Sequence, residues 1–452
     1  MSINLPPTFR FGASTASYQI EGGVNEGGRG PSIWDTFCAE PGRILDGSSG
    51  ERACDHYHRH AEDVALLKGL GVDGYRLSIA WPRIQPTGTG PANAEGVAFY
   101  DRLLDELLEA GIEPMVTLYH WDLPQALETQ SSGGGSSGWL ARETAERFGE
   151  YAAICAERFG DRVAQWVPVN EPNVASLMGY ALGMHAPGKA LMFDALPAAH
   201  HLLLAHGLGV QALRAGGAQQ VGCANNHAPM WTASDSDADL ASTGLFDDLW
   251  NNLFADPMLT GAYPQDLAPF FADQPESDLA VINQPLDFYG VNYYNPFLVA
   301  AAEVGAEMPF EYRDIEGYPM TDFNWPVVPD GLREQLVNLD RRYDDLPPVV
   351  ITESGCAYNM GPDEHGVVDD QPRIDYLDAH LRAVADAVGE GVDVRGYFTW
   401  SLIDNFEWSE GYTQRFGLVY VDYETQQRTP KASYAWFTET IAAVRRGSSS
   451  DG

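Results

Sequence analysis

Two glutamates each stand at the end of an apolar run, where a sheet can carry a side chain to its edge. Gln165–Asn170 is followed by Glu171 and then by Pro172, which cannot extend a sheet. Val349–Glu353 likewise runs apolar and then presents its glutamate shortly before a glycine that permits a sharp turn. Two carboxyl groups that converge can divide acid and base work between them. Taken alone, each glutamate is more simply interpreted as a solvated loop residue.

A repeating unit surrounds these runs: an amphipathic helix ends at a glycine, and an apolar strand with polar or aromatic residues at its end follows. Three such helices are predicted, over Ala61–Leu70, Tyr100–Ala110 and Ala379–Val388. Eight strands are predicted: Phe9–Ser14, Gly74–Trp81, Pro114–Asp122, Gln165–Asn170, Val221–Asn225, Leu286–Asn292, Val349–Glu353 and Val394–Trp400. This pattern favours an α/β fold with a single (β/α)8 TIM barrel over an open doubly wound sheet, and no GxGxxG motif follows the first strand. The active site of such a barrel lies at the C-terminal ends of the strands.

The ends of all eight predicted strands offer amides, acids or aromatic rings. In chain order they are Gln19 and Glu21, Arg76 and Trp81, His120–Asp122, Asn170 and Glu171, Asn225–His227, Asn292–Tyr294, Glu353, and Trp400 with Glu407 and Trp408. Amides and carboxylates pair with hydroxyl groups, and a tryptophan face stacks on the C–H surface of a sugar ring. The strand ends therefore predict a carbohydrate site.

Five motifs make the chain similar to β-glucosidases of glycoside hydrolase family 1 from about Phe9 to Phe437. They are FGASTASYQIEG (Phe11–Gly22), YHWDLP (Tyr119–Pro124), NEP (Asn170–Pro172), ITESG (Ile351–Gly355) and WSLIDNFEW (Trp400–Trp408). The resemblance implies a retaining, exo-acting β-glucosidase that removes terminal non-reducing β-D-glucosyl residues from cellobiose, short β-glucosides and aryl glucosides. It also implies a double-displacement mechanism, with transglycosylation as a side activity.

The resemblance further implies roles for individual residues. Glu171 would be the acid/base and Glu353 the nucleophile, with their carboxyl groups roughly 5 to 5.5 Å apart. Arg76 and Tyr294 would support the nucleophile, and Trp325 would form the aglycone site. The substrate-binding residues implied are Gln19, His120, Trp121, Asn170, Asn292, Tyr294, Trp400, Glu407, Trp408 and Phe416. The implied mechanism needs no cofactor and no metal.

Two positions depart from the family's usual pattern, since Pro168 stands where Thr is usual and Ser354 where Asn is usual. Neither change removes a carboxylate. Glu407 would repel a phosphate group, which favours small neutral β-glycosides over 6-phosphorylated ones. Three alternatives stay open: a catalytically dead sugar-binding barrel, β-galactosidase or β-fucosidase specificity on the same site, and a metal-dependent barrel hydrolase.

The composition limits which class of protein this chain belongs to and which binding partners it is expected to have. The 452 residues, 44% of them hydrophobic, are enough for a substantial core. A net charge of −37 would repel nucleic acid. No run of eighteen apolar residues and no signal-peptide pattern is present, so we expect a cytoplasmic protein that does not enter a membrane. The oligomeric state stays open, a homo-oligomer included. The excess of acids and the presence of only three lysines are consistent with a salt-adapted surface or with genome composition.

One catalytic domain is expected over residues 1–446. Within it, the Gly/Ser-rich stretch 131–138 is expected to form a flexible loop, natural or engineered, and residues 447–452 a flexible tail.

Several other features are interpreted as structural. The cluster Asp55–His60 has metal-ligating residue types, but it is predicted to lie just before a helix and away from any strand end. His200 and His201 lie in an apolar helical stretch and are expected to pack. His185 is expected to border the pocket entrance, and Cys356 is expected to be a small packing residue. The five cysteines are scattered without a CxxC pair, which predicts free thiols.

Overall fold

Eight parallel strands form a closed barrel in the computed structural model, which describes residues 3–129, 138–306 and 308–447. In chain order they are β1 (Arg10–Ser14), β2 (Gly74–Ser78), β3 (Glu113–Tyr119), β4 (Gln165–Val169), β5 (Asn225–Asn226), β6 (Tyr289–Asn292), β7 (Val349–Ser354) and β8 (Val394–Trp400). Hydrogen bonds link them in the order β4, β3, β2, β1, β8, β7, β6, β5. Parallel bridges from Trp166 to Val221 and from Asn170 to Ala224 join the two ends. The predicted (β/α)8 barrel is confirmed.

The fifth strand differs from its prediction. Only Asn225–Asn226 form a continuous ladder, while Val221, Gly222 and Ala224 take part in single bridges. This segment bonds to β4 at some residues and to the β6 side at others, so no regular two-sided ladder develops. The apolar run predicted the position of the strand but not this irregular pairing.

One helix from each of the eight connections belongs to the repeating unit. These are α1 (His56–Leu70), α2 (Ala94–Glu109), α3 (Arg142–Phe159), α4 (Leu196–Ala215), α5 (Leu253–Thr260), α6 (Pro329–Arg342), α7 (Gln371–Gly389) and α8 (Ala432–Gly447). The three predicted helices begin five or more residues earlier than expected, and in α1 this is because the first turn, His56–Arg59, is polar and lacks the apolar spacing. The Asn93 side chain accepts the Glu95 N–H at the start of α2. The cluster at Asp55–His60 therefore belongs to the start of α1, and its predicted place before the helix is wrong.

Further helices and strands lie mainly in the loops of the barrel. The further α-helices are Ser17–Ile20, Ile33–Ala39, Trp81–Ile84, Gln125–Thr129, Pro172–Ser176, Asp237–Asp247 and Ser277–Ile282. The 3-10 helices are Gly138–Leu140, Met192–Ala195, Ala268–Phe271 and Trp408–Glu410, and the π-helices are Leu177–Ala181 and Asp248–Asn252. Strands Met230–Thr232, Phe297–Ala301 and Phe310–Arg313 form one small sheet, and Val419–Val421 with Arg428–Pro430 form a hairpin.

A separate apolar layer is built from β3, β4, β7 and β8 and from the residues that directly precede β5 and β6. It contains Met115, Val167, Ala224, Phe288, Val350 and Phe398, all of them buried. On β1 the corresponding space belongs to the Phe398 ring, because a Cβ atom on Gly12 would lie 2.1 Å from it. The barrel is thus filled by side chains.

Two sequence predictions concern residues outside this description. The Gly/Ser-rich loop, 131–138, lies outside the described residues except for Gly138, and so does the predicted tail after Gly447. Of the helices described, none combines the length and apolar character that crossing a membrane requires.

Candidate active site

Glu171 lies two residues after β4, beyond Asn170, and directly precedes the helix Pro172–Ser176. Its backbone is left-handed, with φ 45°, and its N–H donates to the Ala224 carbonyl at 2.7 Å. Side-chain Oε1 accepts hydrogen bonds from Asn226 Nδ2 at 3.0 Å and from Asn292 Nδ2 at 2.8 Å. Because β5 and β6 supply these two donors, closure of the barrel holds the carboxyl group in place.

Glu353 lies within β7 and has different partners. A guanidinium nitrogen of Arg76, from β2, donates to its Oε1, and the Tyr294 hydroxyl donates to its Oε2 at 2.8 Å. The Arg76 side chain is buried, so its positive charge is poorly screened by solvent. A buried cation and a hydroxyl donor thus hold the two carboxyl oxygens of Glu353.

Burial, followed by the charge of Glu353, raises the pKa of Glu171 to about 8. The hydrogen bonds from Asn292 and Asn226 act in the opposite direction but do not cancel this effect. Near neutral pH Glu171 therefore keeps its proton, and it lies beside a Glu353 that is paired with a buried guanidinium group. Such a pair supplies a general acid beside a nucleophile or base.

An amide network joins the two glutamates. Asn170 Oδ1 accepts from Arg76 at 2.6 Å and from Asn292 at 3.1 Å, while its Nδ2 donates to His120 Nε2 at 3.0 Å. An accepting Nε2 places the proton of neutral His120 on Nδ1. Burial, and then the charge of Arg76, hold the pKa of His120 well below its ordinary value, so the ring is neutral.

Among the residues that the structure describes, three buried polar atoms of or beside this network have no protein partner. They are His120 Nδ1, Gln19 Oε1 and Arg76 Nε. The amide nitrogen of Gln19 is fixed by the Phe406 carbonyl at 2.8 Å and by Asn405 Oδ1 at 3.0 Å. Buried polar groups normally find a partner, so an unpaired donor and an unpaired acceptor fit a ligand that has hydroxyl groups.

Glu407 adds a third carboxyl group to the site. Burial, and then the charges of Glu353 and Glu171, raise its pKa to about 8. Gln19 Nε2 lies 3.4 Å from its Oε2. A protonated Glu407 both donates and accepts hydrogen bonds, as a sugar hydroxyl group requires of its partner.

Aromatic rings enclose these polar groups. The ring of Trp408 packs 4.6 Å from Trp121 and 5.9 Å from His120, measured between ring centroids. Trp400 and Phe416 share a buried cluster, and Trp325 packs 5.3 Å from Tyr294. Trp121 and Trp408 also adopt left-handed backbone conformations, with φ 75° and 49°. Such strain in residues that have a side chain is concentrated at functional sites.

A cavity of about 580 Å³ lies among these groups. The residues predicted from the sequence that line it are His120, Trp121, Glu171, Tyr294, Trp325, Glu353, Trp400, Glu407, Trp408 and Phe416. His185 lines it too. Four predicted residues do not line it and are fully buried: Gln19, Arg76, Asn170 and Asn292. Each of these four bonds to at least one residue of the cavity wall.

Sequence reasoning did not select Asn226 and Trp250, which also line the cavity. Asn226 donates to Glu171, whereas its neighbour Asn225 donates to the Tyr289 hydroxyl at 2.9 Å. The sequence showed both asparagines at a strand end, but a two-residue strand has no alternation to tell which one faces the cavity. Trp250 lies in the π-helical turn Asp248–Asn252, far along the chain from any strand end.

The two departures from the family's pattern lie beside the carboxylates. Ser354 Oγ is 3.2 Å from the Tyr376 hydroxyl, and its backbone carbonyl accepts from Tyr397 at 3.3 Å. Pro168 is part of β4 and lies against Gly209, where an added Cβ would come within 3.0 Å of the proline ring. Both residues support the strands that carry the carboxylates.

The histidines of α1 diverge toward separate carboxylates. Their ion pairs are His56 with Asp63, His58 with Asp55 and Glu26, and His60 with Glu106. Throughout the three described ranges, no group of three or more His, Cys, Asp or Glu side chains is arranged to hold a metal ion.

The other residues interpreted as structural are buried. His200 Nε2 is 3.0 Å from Asp278, and His201 Nδ1 is 2.9 Å from the Trp139 carbonyl. Burial raises the pKa of Cys356 to about 12, so this thiol stays protonated and is a poor nucleophile.

The chain is similar to known proteins along nearly its whole length. The profile described as Glycosyl hydrolase family 1 matches residues 1–445. A β-glucosidase of Agrobacterium sp. is 44% identical, with 99% of this chain and 97% of the relative covered. A protein of Bifidobacterium breve named bifunctional β-D-glucosidase/β-D-fucosidase is also 44% identical, with 98% and 99% covered. The solved family 1 β-glucosidase of Thermotoga maritima superposes with a TM-score of 0.93 at 41% identity, covering 98% of this chain and 99% of that one.

Proposed function

Because the chain belongs to glycosyl hydrolase family 1, we propose that it is a retaining β-glucosidase that acts on terminal non-reducing β-D-glucosyl residues. The observation that carries this proposal is the pair of glutamates in one cavity with opposite surroundings. Glu353 has a cation and a hydroxyl donor, whereas burial raises the pKa of Glu171 to about 8. Small neutral β-glycosides, cellobiose and aryl glucosides among them, are the proposed substrates.

In the first step, the Glu353 carboxylate attacks the anomeric carbon and forms a glycosyl ester. The glycosidic C–O bond breaks, and Glu171 transfers its proton to the departing oxygen. In the second step, Glu171, now ionised, removes a proton from a water molecule whose oxygen attacks the same carbon. The ester bond breaks, the sugar leaves with its anomeric configuration retained, and both glutamates return to their starting states.

The residues around this pair would bind the glucosyl unit. The free His120 Nδ1 and Gln19 Oε1, together with Glu407, offer one donor, one acceptor and one carboxyl group to its hydroxyls. Trp408 and Trp400 would stack on or enclose its ring. Asn292 would hold the Glu171 carboxyl group, and Asn170, held by Arg76 and Asn292, would contact the 2-hydroxyl group. Trp325, on the other wall, would meet the leaving group.

Azide tests the two roles separately. Glu171→Ala leaves the nucleophile in place, so an activated aryl β-glucoside should still form the glycosyl ester, and azide should open it to a β-glycosyl azide. Glu353→Ala leaves an empty space where the nucleophile stood, so azide should enter directly and give the α-azide. Nuclear magnetic resonance of the anomeric proton distinguishes the two products. The same anomer from both variants would contradict the assignment.

Leaving-group dependence provides a second readout. Loss of Glu171 should reduce the rate on poor leaving groups far more than on activated ones, because a good leaving group needs little protonation. A uniform loss across leaving groups would instead assign Glu171 a structural role.

β-Fucosidase activity is a second candidate, favoured by the bifunctional name of the Bifidobacterium breve relative. The ratio of kcat/KM on aryl β-glucoside, β-galactoside and β-fucoside tests it. We expect the glucoside and fucoside to be hydrolysed at comparable rates if the chain shares that relative's range. A fucoside rate near the background would remove this candidate and leave the glucosidase proposal intact.

A further inference from the structure

A second cavity, of about 230 Å³, adjoins the catalytic one. We call it the side cavity. Five residues line both spaces: Met178, Met184, Trp250, Phe297 and Tyr312. The side cavity is therefore continuous with the wall of the catalytic cavity.

The lining of the side cavity is almost entirely apolar. Of the described residues that line it, none has a charged side chain. Ser176 Oγ donates to the Pro172 carbonyl at 2.7 Å, and Trp250 Nε1 donates to Asn226 Oδ1 at 3.2 Å. These two polar groups are thus already paired. A ligand in this cavity would gain stabilisation from burial of apolar surface rather than from hydrogen bonds.

The position of Trp250 shows that the leaving group of a substrate, rather than its glucosyl unit, would lie near the side cavity. Its indole nitrogen bonds to Asn226, and Asn226 in turn donates to Glu171 at 3.0 Å. Glu171 is the residue proposed to protonate the leaving group. The side cavity therefore opens on the leaving-group side of the catalytic cavity.

Two π-helical turns form much of the wall. Leu177–Ala181 supplies Leu177, Met178 and Ala181, and Asp248–Asn252 supplies Leu249 and Trp250. Insertions of this kind into helices frequently occur at functional sites. Four of the lining residues are methionines, which are flexible and fill irregular apolar space: Met178, Met184, Met192 and Met308.

We propose that the side cavity binds an uncharged alkyl chain on the leaving group, so that long-chain alkyl β-glucosides are substrates. This inference rests on the proposed β-glucosidase activity. The leaving oxygen would lie at Glu171, and the chain would pass Trp250 into the side cavity. The rim carries further apolar surface, because Leu182, Met184 and Tyr312 are exposed by 39%, 55% and 53%.

The test is kcat/KM for ethyl, butyl, hexyl and octyl β-D-glucosides, with 4-nitrophenyl β-D-glucoside as the reference. Each methylene that enters the side cavity should raise kcat/KM by up to about fourfold, from the transfer of one CH₂ group out of water. The rise should stop once the cavity is filled. Equal values for all four alkyl glucosides would overturn the inference.

A variant pair locates the effect. Ala199 is buried and lines the side cavity but not the catalytic one, so Ala199→Phe should fill the space. The octyl-to-ethyl ratio of kcat/KM should fall at least tenfold, and using a ratio cancels any general loss of activity. The matched control is Ala241→Phe, at an exposed position of Asp237–Asp247, which should keep the wild-type ratio. An unchanged ratio in a folded Ala199→Phe protein would place the chain elsewhere and overturn the inference.

A smaller change covers the case in which Ala199→Phe does not fold. Ala181 also lines the side cavity, and Ala181→Leu adds less volume. It should lower the same ratio by a smaller factor, and an unchanged ratio would again count against the side cavity. If the aryl glucoside is hydrolysed and the alkyl glucosides show no dependence on chain length, only the side-cavity inference is refuted. Failure to hydrolyse any glucoside refutes the proposed function itself.

Discussion

Glu171 and Glu353 have the same side chain, but the residues around them differ in charge. Asn226 and Asn292 are neutral donors, so they hold Glu171 without supplying a charge to offset its burial. Arg76 supplies that charge to Glu353. The division of labour between the two glutamates therefore follows from one buried arginine and its position on β2.

Tyr294→Phe tests the support of the nucleophile. The change removes the donor 2.8 Å from Glu353 Oε2 but keeps the ring. A hydrogen bond to a charged group contributes about 1.5–3 kcal/mol, so kcat/KM on an aryl glucoside should fall about 10- to 100-fold.

The neighbouring tyrosine is the matched control for that experiment. The Tyr293 hydroxyl donates to the Val328 carbonyl at 2.6 Å and does not contact Glu353. Tyr293→Phe should lower the free energy of unfolding by about 1 kcal/mol and change kcat/KM less than twofold. Equal losses of activity in the two variants would show that the Tyr294 hydroxyl does not specifically support Glu353.

The raised pKa of Glu171 predicts a pH-dependent effect on stability. Above about pH 4.5 the unfolded chain ionises this residue, whereas the folded protein keeps its proton until about pH 8. The wild-type free energy of unfolding therefore loses a contribution as the pH rises through this window. Glu171→Gln keeps the acceptor oxygen and removes the titration. Its gain in stability should grow from near zero at pH 4.5 to on the order of 2–4 kcal/mol above pH 8.

Urea unfolding at several pH values measures this difference. Glu109→Gln, at an exposed position near the end of α2, is the control and should show little pH-dependent gain. A gain from Glu171→Gln that does not vary with pH would show that the proton on Glu171 does not depend on its burial.

At the scale of elements, the sequence predicted the positions of the strands better than the starts of the helices or the shape of the cavities. Seven strands have apolar runs long enough to place them within a few residues, and their end residues meet as expected in a parallel barrel. The start of α1 was missed because polar first turns carry no apolar spacing. The side cavity could not be predicted, since it depends on π-helical turns that bring Met178 and Trp250 together from distant parts of the chain.

The close approach of β5 and β6 gives a prediction at this scale. A Cβ on Gly290 would lie 2.1 Å from the Cys223 carbonyl oxygen, which is backbone and cannot rotate away. Gly290→Ala should therefore lower the free energy of unfolding by more than about 2 kcal/mol. Gly244→Ala is the matched control, because it lies inside the helix Asp237–Asp247 with nothing within 4 Å of an added Cβ. It should stabilise the protein by about 0.5–1 kcal/mol. Urea unfolding that ranks the two variants in the opposite order would contradict this account of the barrel.

At the scale of the whole molecule, the charge of −37 is the dominant feature of the surface. Folding crowds these charges, and salt screens them over roughly 10 Å at 0.1 M and 3 Å at 1 M. The melting temperature should therefore rise between low salt and about 1 M sodium chloride. Hydrolysis of an uncharged aryl glucoside should persist at high salt, because a neutral substrate has no electrostatic steering to lose.

A non-ionic osmolyte at matched osmolality is the control for that melt series. Screening predicts a larger rise in melting temperature with sodium chloride than with the osmolyte. A flat or falling melting temperature in salt would reject salt adaptation and favour genome composition as the source of the acidic surface.

The central claim, that Glu353 attacks the sugar and Glu171 serves as its acid and base, is tested most directly by trapping the glycosyl ester. In 2,4-dinitrophenyl 2-deoxy-2-fluoro-β-D-glucoside, fluorine slows both steps and the good leaving group restores the first, so the ester accumulates. Mass spectrometry of the intact protein should show one fluoroglucosyl group, and peptide mapping should locate it on Glu353. Glu353→Gln should carry none. A label on any other residue, or full turnover of glucosides with inverted configuration, would contradict the account.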